Sequence, residues 1–155
     1  IDLAGLDGRN GFRMNEARAP YLVSDAGDFN GDGFDDVLIG VEGSYGVYNS
    51  SEGAGYIIFG KADGFVADLD LSTLDGQNGF GMEGTGKANV TISGAGDVNG
   101  DGYADIIVGA PEYRTPVQTE GRVYLYYGNG GPGPASRSRS RKSRASRCTG
   151  RRSTC

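Results

Sequence analysis

Apolar residues come along the chain in short runs, each walled off by Gly, Asn and Asp. Val37-Leu38-Ile39, Ile57-Ile58-Phe59, Ile106-Ile107-Val108 and Tyr124-Leu125-Tyr126-Tyr127 are the strongest of them. Such runs are too short to show a helical repeat, and their flanks are turn formers, so the pattern predicts β-strands. The triplets at 37–39 and 106–108 do not alternate with polar residues, which predicts strands covered on both faces. Glycine supplies 29 of 155 residues, a content that helices do not tolerate. The chain therefore reads as all-β, with the length of one ordinary domain.

The runs belong to a unit that occurs twice. Leu6-Asp7-Gly8-Arg9-Asn10-Gly11-Phe12 returns as Leu74-Asp75-Gly76-Gln77-Asn78-Gly79-Phe80. Asp28-Phe29-Asn30-Gly31-Asp32-Gly33-Phe34-Asp35-Asp36 returns as Asp97-Val98-Asn99-Gly100-Asp101-Gly102-Tyr103-Ala104-Asp105, and Tyr56 to Gly60 returns in kind as Tyr124 to Gly128. Three blocks stay in step, which a chance repeat does not do. Each unit holds four short strands. The first is Tyr21–Ser24 or Asn89–Ser93, the second Asp36–Gly40 or Asp105–Gly109, and the third Gly55–Gly60 or Gly121–Gly128. The fourth is Phe80–Glu83, matched at the front of the chain by Phe12–Glu16. Four strands closed by Gly-rich turns make the unit of a propeller blade, and one such sheet must stack on a neighbour to bury its faces. The division by repeat is 1–68, 69–130 and a tail, 131–155.

The middle block carries the chemistry. Asp28, Asn30, Asp32 and Asp36 stand at positions 1, 3, 5 and 9 of a loop with Gly33 at position 6, and Asp97, Asn99, Asp101, Asp105 and Gly102 repeat the arrangement. Calcium takes oxygen ligands at about 2.3–2.6 Å, and alternate side chains of a tight loop can converge on one point. A glycine at position 6 allows the sharp turn that brings in a main-chain oxygen from position 7, Phe34 or Tyr103. The candidate ligands are thus Asp28, Asn30, Asp32, Phe34 and Asp36 for one ion, and Asp97, Asn99, Asp101, Tyr103 and Asp105 for a second. An EF-hand would need a bidentate Glu at position 12, where Ile39 and Val108 stand inside strands. The competing reading of Asn-Gly-Asp-Gly as a plain polar turn is weakened by its recurrence in register.

Charge and composition narrow the function. Residues 1–130 hold all 20 acidic residues against 7 basic ones, a net −13, while residues 131–155 hold 8 basic residues and no acidic one. The acidic body repels nucleic acid and attracts cations. There is no His, which excludes a Ser-His-Asp triad and a His-ligated metal; with no other catalytic constellation visible, the chain reads as non-enzymatic. No apolar stretch approaches the length of a membrane span. Ile1 opens no basic-then-apolar leader, which is the start of a mature form or a fragment.

The unit resembles the FG-GAP repeat of integrin α-subunit propellers, found also in bacterial surface proteins and in a phospholipase that cleaves glycosylphosphatidylinositol anchors. Phe80-Gly81 and Gly109-Ala110-Pro111 supply the name-giving elements around the second loop; in the first unit Phe12 is followed by Arg13 and Gly40 by Val41-Glu42. The resemblance covers about residues 1–130. It implies a seven-bladed β-propeller, incomplete in this chain, outside the cell or on its surface, working with two calcium ions in adhesion or protein recognition. A second reading is an accessory module of a calcium-dependent hydrolase such as that phospholipase. A third places function in the basic tail as an RNA binder. If a blade takes its fourth strand from the following repeat, Phe12–Glu16 is a strand with no blade of its own and residues 89–128 lack a fourth strand, so copies of the chain are expected to associate head to tail.

Smaller signals complete the reading. Asn49-Ser50-Ser51 and Asn89-Val90-Thr91 match the glycosylation tripeptide. Tyr56, Tyr124, Tyr126 and Tyr127 are expected to pack between strands rather than to stack a ligand. From Gly131 a Ser/Arg-rich run with both cysteines, Cys148 and Cys155, replaces the repeat. It reads either as an electrostatic tether or as a segment foreign to the fold, and the abrupt change where the next Leu-Asp-Gly block would begin favours the second. Such a segment cannot offset the entropy of ordering. Limited proteolysis is expected to cut first after these arginines and to leave a resistant body ending near Gly130; a protected tail would contradict this.

Overall fold

A computed structural model gives the architecture; it describes residues 2–15, 20–41, 45–46, 49–50, 53–83, 91–111 and 121–133. Among these residues eleven strands follow one another: β1 Arg13–Asn15, β2 Pro20–Gly27, β3 Asp36–Val41, β4 Tyr45–Gly46, β5 Asn49–Ser50, β6 Ala54–Ile58, β7 Asp68–Asp70, β8 Gly79–Glu83, β9 Thr91–Gly96, β10 Asp105–Ala110 and β11 Arg122–Tyr126. The only helical elements among the described residues are 3-10 turns at Leu3–Gly5 and Leu71–Thr73, started by the Asp2 and Asp70 side chains. Among the described residues no helix is long and apolar enough to cross a membrane.

The first sheet is antiparallel with the order β2-β3-β6-β8, and the second has the order β9-β10-β11. The first sheet thus takes its fourth strand from the start of the following repeat, as the strand pattern predicts. The chain is all-β, and two blade-like sheets are stacked. Their shared core draws Leu38, Ile57, Phe59 and Phe80 from the first sheet and Ile92, Ile106 and Val108 from the second. Phe80 meets Phe29 and Phe59 with ring centroids 6.0 and 6.1 Å apart, in tilted and edge-on arrangements that suit the ring quadrupoles.

The opposite face of the first sheet carries Ile39, Val41, Ala54 and Ile58, covered by Leu71, Leu74 and the half-buried Met14, Phe65 and Leu69. The unbroken Val37-Leu38-Ile39 run is therefore explained, since both faces of β3 are covered. In β10 the expectation holds for one face only. Ile107 is 39% exposed, because the face it occupies meets no counterpart among the described residues.

A second difference concerns the front of the chain. Among the described residues Arg13–Asn15 joins neither blade-like sheet, but β1 pairs in parallel with β7, a strand the sequence pattern did not suggest. Phe12 stacks on Phe65 with centroids 4.0 Å apart, and the Arg13 guanidinium grips Asp68 through two bonds of 2.7 and 2.8 Å. That pairing holds the exposed Asp68 carboxyl below its ordinary range. The same clasp is begun in the second unit. The Gly8 carbonyl accepts the Phe65 N–H, and the Gly76 carbonyl accepts that of Gly133 at 2.9 Å, so residues 131–133 follow the fold. The tail from 134 onward, Glu16, and the glycosylation candidate at Asn89 lie outside the described residues, as does the Asn49 side chain.

The β8 entry is sterically tight. Gly79 has φ +131°, and a Cβ there would run into the Ile57 carbonyl, whereas Gly96, φ +71°, has open space around it. Gly96→Ala is expected to cost about 1 kcal/mol from backbone strain alone, and Gly79→Ala distinctly more, as read from urea denaturation midpoints. Equal costs would show that β8 yields without resistance.

Candidate metal centre

Each acidic loop runs from the end of one strand to the start of the next. β2 leads into Asp28 and Asp36 opens β3; β9 leads into Asp97 and Asp105 opens β10. Gly31 and Gly33 have φ of +76° and +89°, Gly100 and Gly102 of +76° and +93°. These left-handed positions fold the loop back on its first residue, and side chains other than glycine rarely adopt them.

The first carboxylate organises that turn. Asp28 accepts the N–H groups of Gly31, Asp32 and Gly33 at 2.7, 3.0 and 2.9 Å, and Asp97 accepts those of Gly100, Asp101 and Gly102 at 2.7, 3.1 and 2.9 Å. Asn30 lies along Asp32, its amide nitrogen 2.9 Å from an Asp32 oxygen, and Asn99 lies along Asp101 at 2.8 Å. The other oxygens of Asp32 and Asp101 accept the Phe34 and Tyr103 N–H at 2.9 and 3.0 Å.

The last carboxylate of each loop is a clamp. Asp36 and Asp105 are 1% and 0% exposed. Asp36 accepts the Phe29 N–H at 3.1 Å and the Gly60 N–H at 2.8 Å; Asp105 accepts those of Val98 at 2.8 Å and Gly128 at 2.9 Å. One side chain thus joins the start of its loop, the start of its own strand and the end of the neighbouring strand. The partners Phe29, Val98, Gly60 and Gly128 were not singled out from sequence as part of the site. The recurrence of Gly60 and Gly128 at the end of the third apolar block was the signal for two of them.

The two loops also touch. The Asp28 carbonyl accepts the Ala104 N–H at 3.0 Å, and a Cβ at Gly31 would meet the Tyr103 ring. Tyr103 accordingly is half-buried, whereas its counterpart Phe34 is 41% exposed.

Three carboxylates, one amide and a main-chain oxygen per loop are the donor set of a hard cation. As placed, the carboxylates are turned toward backbone N–H groups, those of their own loops and, for Asp36 and Asp105, of Gly60 and Gly128 as well. Among the described residues no group of three acidic side chains is drawn together as a metal cage. The kinds and order of donors fit calcium, while their convergence requires Asp32 and Asp101 to leave their asparagine partners.

Burial pushes the Asp36 carboxyl up to about 6, with the Asp32 charge adding to the rise and the Gly60 and Phe29 N–H groups opposing it. A carboxyl that binds its proton more tightly in the folded state gives stability below the ordinary carboxylate range, and that contribution fades as pH climbs from about 4 to about 6. A carbon-detected titration in chelator is expected to place Asp36 well above the exposed carboxyls; a midpoint near 4 would contradict it. Asp36→Ala leaves two N–H groups without their acceptor, at about 1–3 kcal/mol each. Asp36→Asn, which keeps one acceptor oxygen, is expected to lose less by urea denaturation.

Comparison with known proteins agrees with this geometry. A family model described as FG-GAP repeat matches residues 23–58 and 89–126, the sheets with their loops. The chain is 38% identical over 93 residues to integrin alpha pat-2 of Caenorhabditis elegans, 60% of this chain and 7% of that protein. It is 37% identical over 111 residues to integrin alpha-PS2 of Drosophila melanogaster, 66% of this chain and 7% of that protein. Phosphatidylinositol-glycan-specific phospholipase D of Mus musculus is 34% identical over 115 residues, 73% of this chain and 13% of that protein. The chain thus spans a small part of the length of each relative. Two sheets built on one pattern, two loops matching bond for bond and these relatives lead to one assignment: the chain belongs to the FG-GAP repeat family of the integrin α type.

Proposed function

We propose that the chain is a calcium-binding β-propeller segment of an extracellular or cell-surface protein, serving adhesion or protein recognition and not catalysis. The observation that carries the reading is the duplication of a loop whose donors at 28, 30, 32, 34 and 36 return at 97, 99, 101, 103 and 105 with the same hydrogen bonds. A plain turn needs neither the exposed Asp32 and Asp101 nor their repetition. Bound calcium would supply positive charge to a loop whose sequence carries three candidate carboxylates, changing the body's net charge from −13 to −9 for two ions. The protein ligand would meet loops of the propeller or a neighbouring blade, and the acidic body offers nothing to nucleic acid.

A second reading, an accessory module of a calcium-dependent hydrolase, draws on the phospholipase relative, which matches more of this chain than either integrin chain above. Lipid-hydrolysing activity in the intact parent protein would favour it.

Thermal melts decide the metal. At about 100 times its dissociation constant, calcium adds roughly 2.7 kcal/mol per site, so the midpoint is expected to rise with calcium and fall with chelator. Isothermal calorimetry is expected to lose both sites in the Asp32→Ala, Asp101→Ala double variant. An unchanged midpoint, or calorimetry of the variant matching the original, would sink the reading.

A further inference from the structure

The second loop leans on the first through one peptide group. The peptide joining Tyr103 to Ala104 donates its N–H to the Asp28 carbonyl at 3.0 Å. Its carbonyl is the main-chain oxygen that the calcium reading assigns to the second loop. A peptide is planar and trans, so its N–H and C=O point opposite ways and cannot turn independently. Whatever fixes the main chain at Asp28 therefore also fixes the direction of the Tyr103 oxygen. Asp28 is in turn the residue about which the first loop folds, its carboxylate accepting the Gly31, Asp32 and Gly33 N–H groups at 2.7, 3.0 and 2.9 Å.

Packing closes around the same point. A Cβ at Gly27 would press on the Ala104 methyl, and one at Gly128 would strike the Phe29 and Ala104 carbonyls together. Gly128 is also the glycine whose N–H the Asp105 carboxylate holds at 2.9 Å. The Tyr103 ring lies against Gly31 of the first loop and against Gly130. Close-packed groups of this kind transmit displacement, so the two loops have little room to shift separately. Neither loop is yet gathered for an ion, because Asn30 holds Asp32 at 2.9 Å and Asn99 holds Asp101 at 2.8 Å. Each must order its side chains to bind, which costs conformational entropy. A loop whose neighbour is already ordered has less freedom left to lose.

We infer that the two loops bind calcium cooperatively, the ordering of either one raising the affinity of the other through the Tyr103–Ala104 peptide. The inference rests on the calcium reading and adds to it a coupling between the sites. By linkage the same factor acts in both directions.

Calorimetry with calcium alone, on full-length chains, measures the coupling. Asp32→Ala leaves the second loop as the single site, and Asp101→Ala leaves the first; both positions are exposed, so the core is untouched. The product of the two dissociation constants of the unaltered chain is expected to be smaller than the product of the single-site constants by about fivefold or more. Charge alone leaves that product unchanged. An alanine variant removes one negative charge and so stands midway between an empty loop and one that has gained two positive charges. Hydrogen exchange then locates the coupling. In the Asp101→Ala chain, calcium is expected to slow exchange of the Ala104 N–H by about the same factor. The Arg13 N–H, held by the Ala67 carbonyl at 2.8 Å in the front clasp, is expected to keep its rate. Equal products, or a larger one for the unaltered chain, would overturn the coupling and leave the calcium reading standing. Ala104 slowed no more than Arg13 would do the same. No binding heat from any of the three chains would overturn the calcium reading and the coupling with it.

Discussion

The structure hangs on two buried carboxylates. Asp36 and Asp105 are taken out of water at the head of the second strand of each sheet, and each is balanced by two N–H donors. A buried carboxylate is costly unless it is hydrogen-bonded, and both oxygens are used here. The donors come from places that nothing else would bring together: the residue after the loop's first Asp, and the glycine that ends the third apolar block. The clamp therefore ties the loop to the strand that follows it and to the end of the neighbouring strand. In Asp36 the cost of burial remains visible as a carboxyl held near 6.

From that clamp the stacking follows. With the loop ends pinned, β2 and β9 come close enough that a Cβ at Gly94 would press on the Asp25 carbonyl, and the aromatic rings fill the space between the sheets. The Asp28 carbonyl then reaches the Ala104 N–H, so the first residue of one loop is bonded to the eighth of the other. The two loops are one assembly at one end of the stack. A shift of the main chain at Asp28 must move the second loop or break that bond.

Much of this was legible in the sequence because it is written twice. Strand order, the two loops and the borrowed fourth strand all follow from blocks that keep their spacing, and the glycines at loop position 6 have the positive φ the turn requires. What escaped depends on partners distant in sequence. Asp68-Leu69-Asp70 has no strand-forming pattern; it is held extended by Arg13 and by the Phe12–Phe65 stack. Ile107 looks like its buried neighbours, and its exposure comes from the position of the sheet in the stack, which local pattern does not encode. Tyr56 and Tyr124 pack as expected, while Tyr127 is exposed on the same face of the second sheet as Ile107, and Tyr126, on the face of Ile106, is 45% exposed. The loop carboxylates read as ion ligands from their spacing; the structure shows them engaged by their own N–H groups, an option open to any Asp in a tight turn.

The repeat in sequence and the sheet in space are out of phase, and this matters for how the fold can be cut. A division at residue 68 separates β8 from the sheet it completes and exposes Ile57 and Phe59, whose cover is Phe80. The division that keeps the strand pairing of both sheets intact falls after β8, so that one sheet is residues 20–83 and the next begins at Thr91. The block Leu-Asp-Gly-x-Asn-Gly-Phe is then a joint: Asn10 and Asn78 cap the N–H of Asp7 and Asp75, and Gly8 and Gly76 receive the spacer that follows the third strand. Each joint binds one sheet's last strand to the segment leading into the next, which is why the sequence preserves it as closely as the loops.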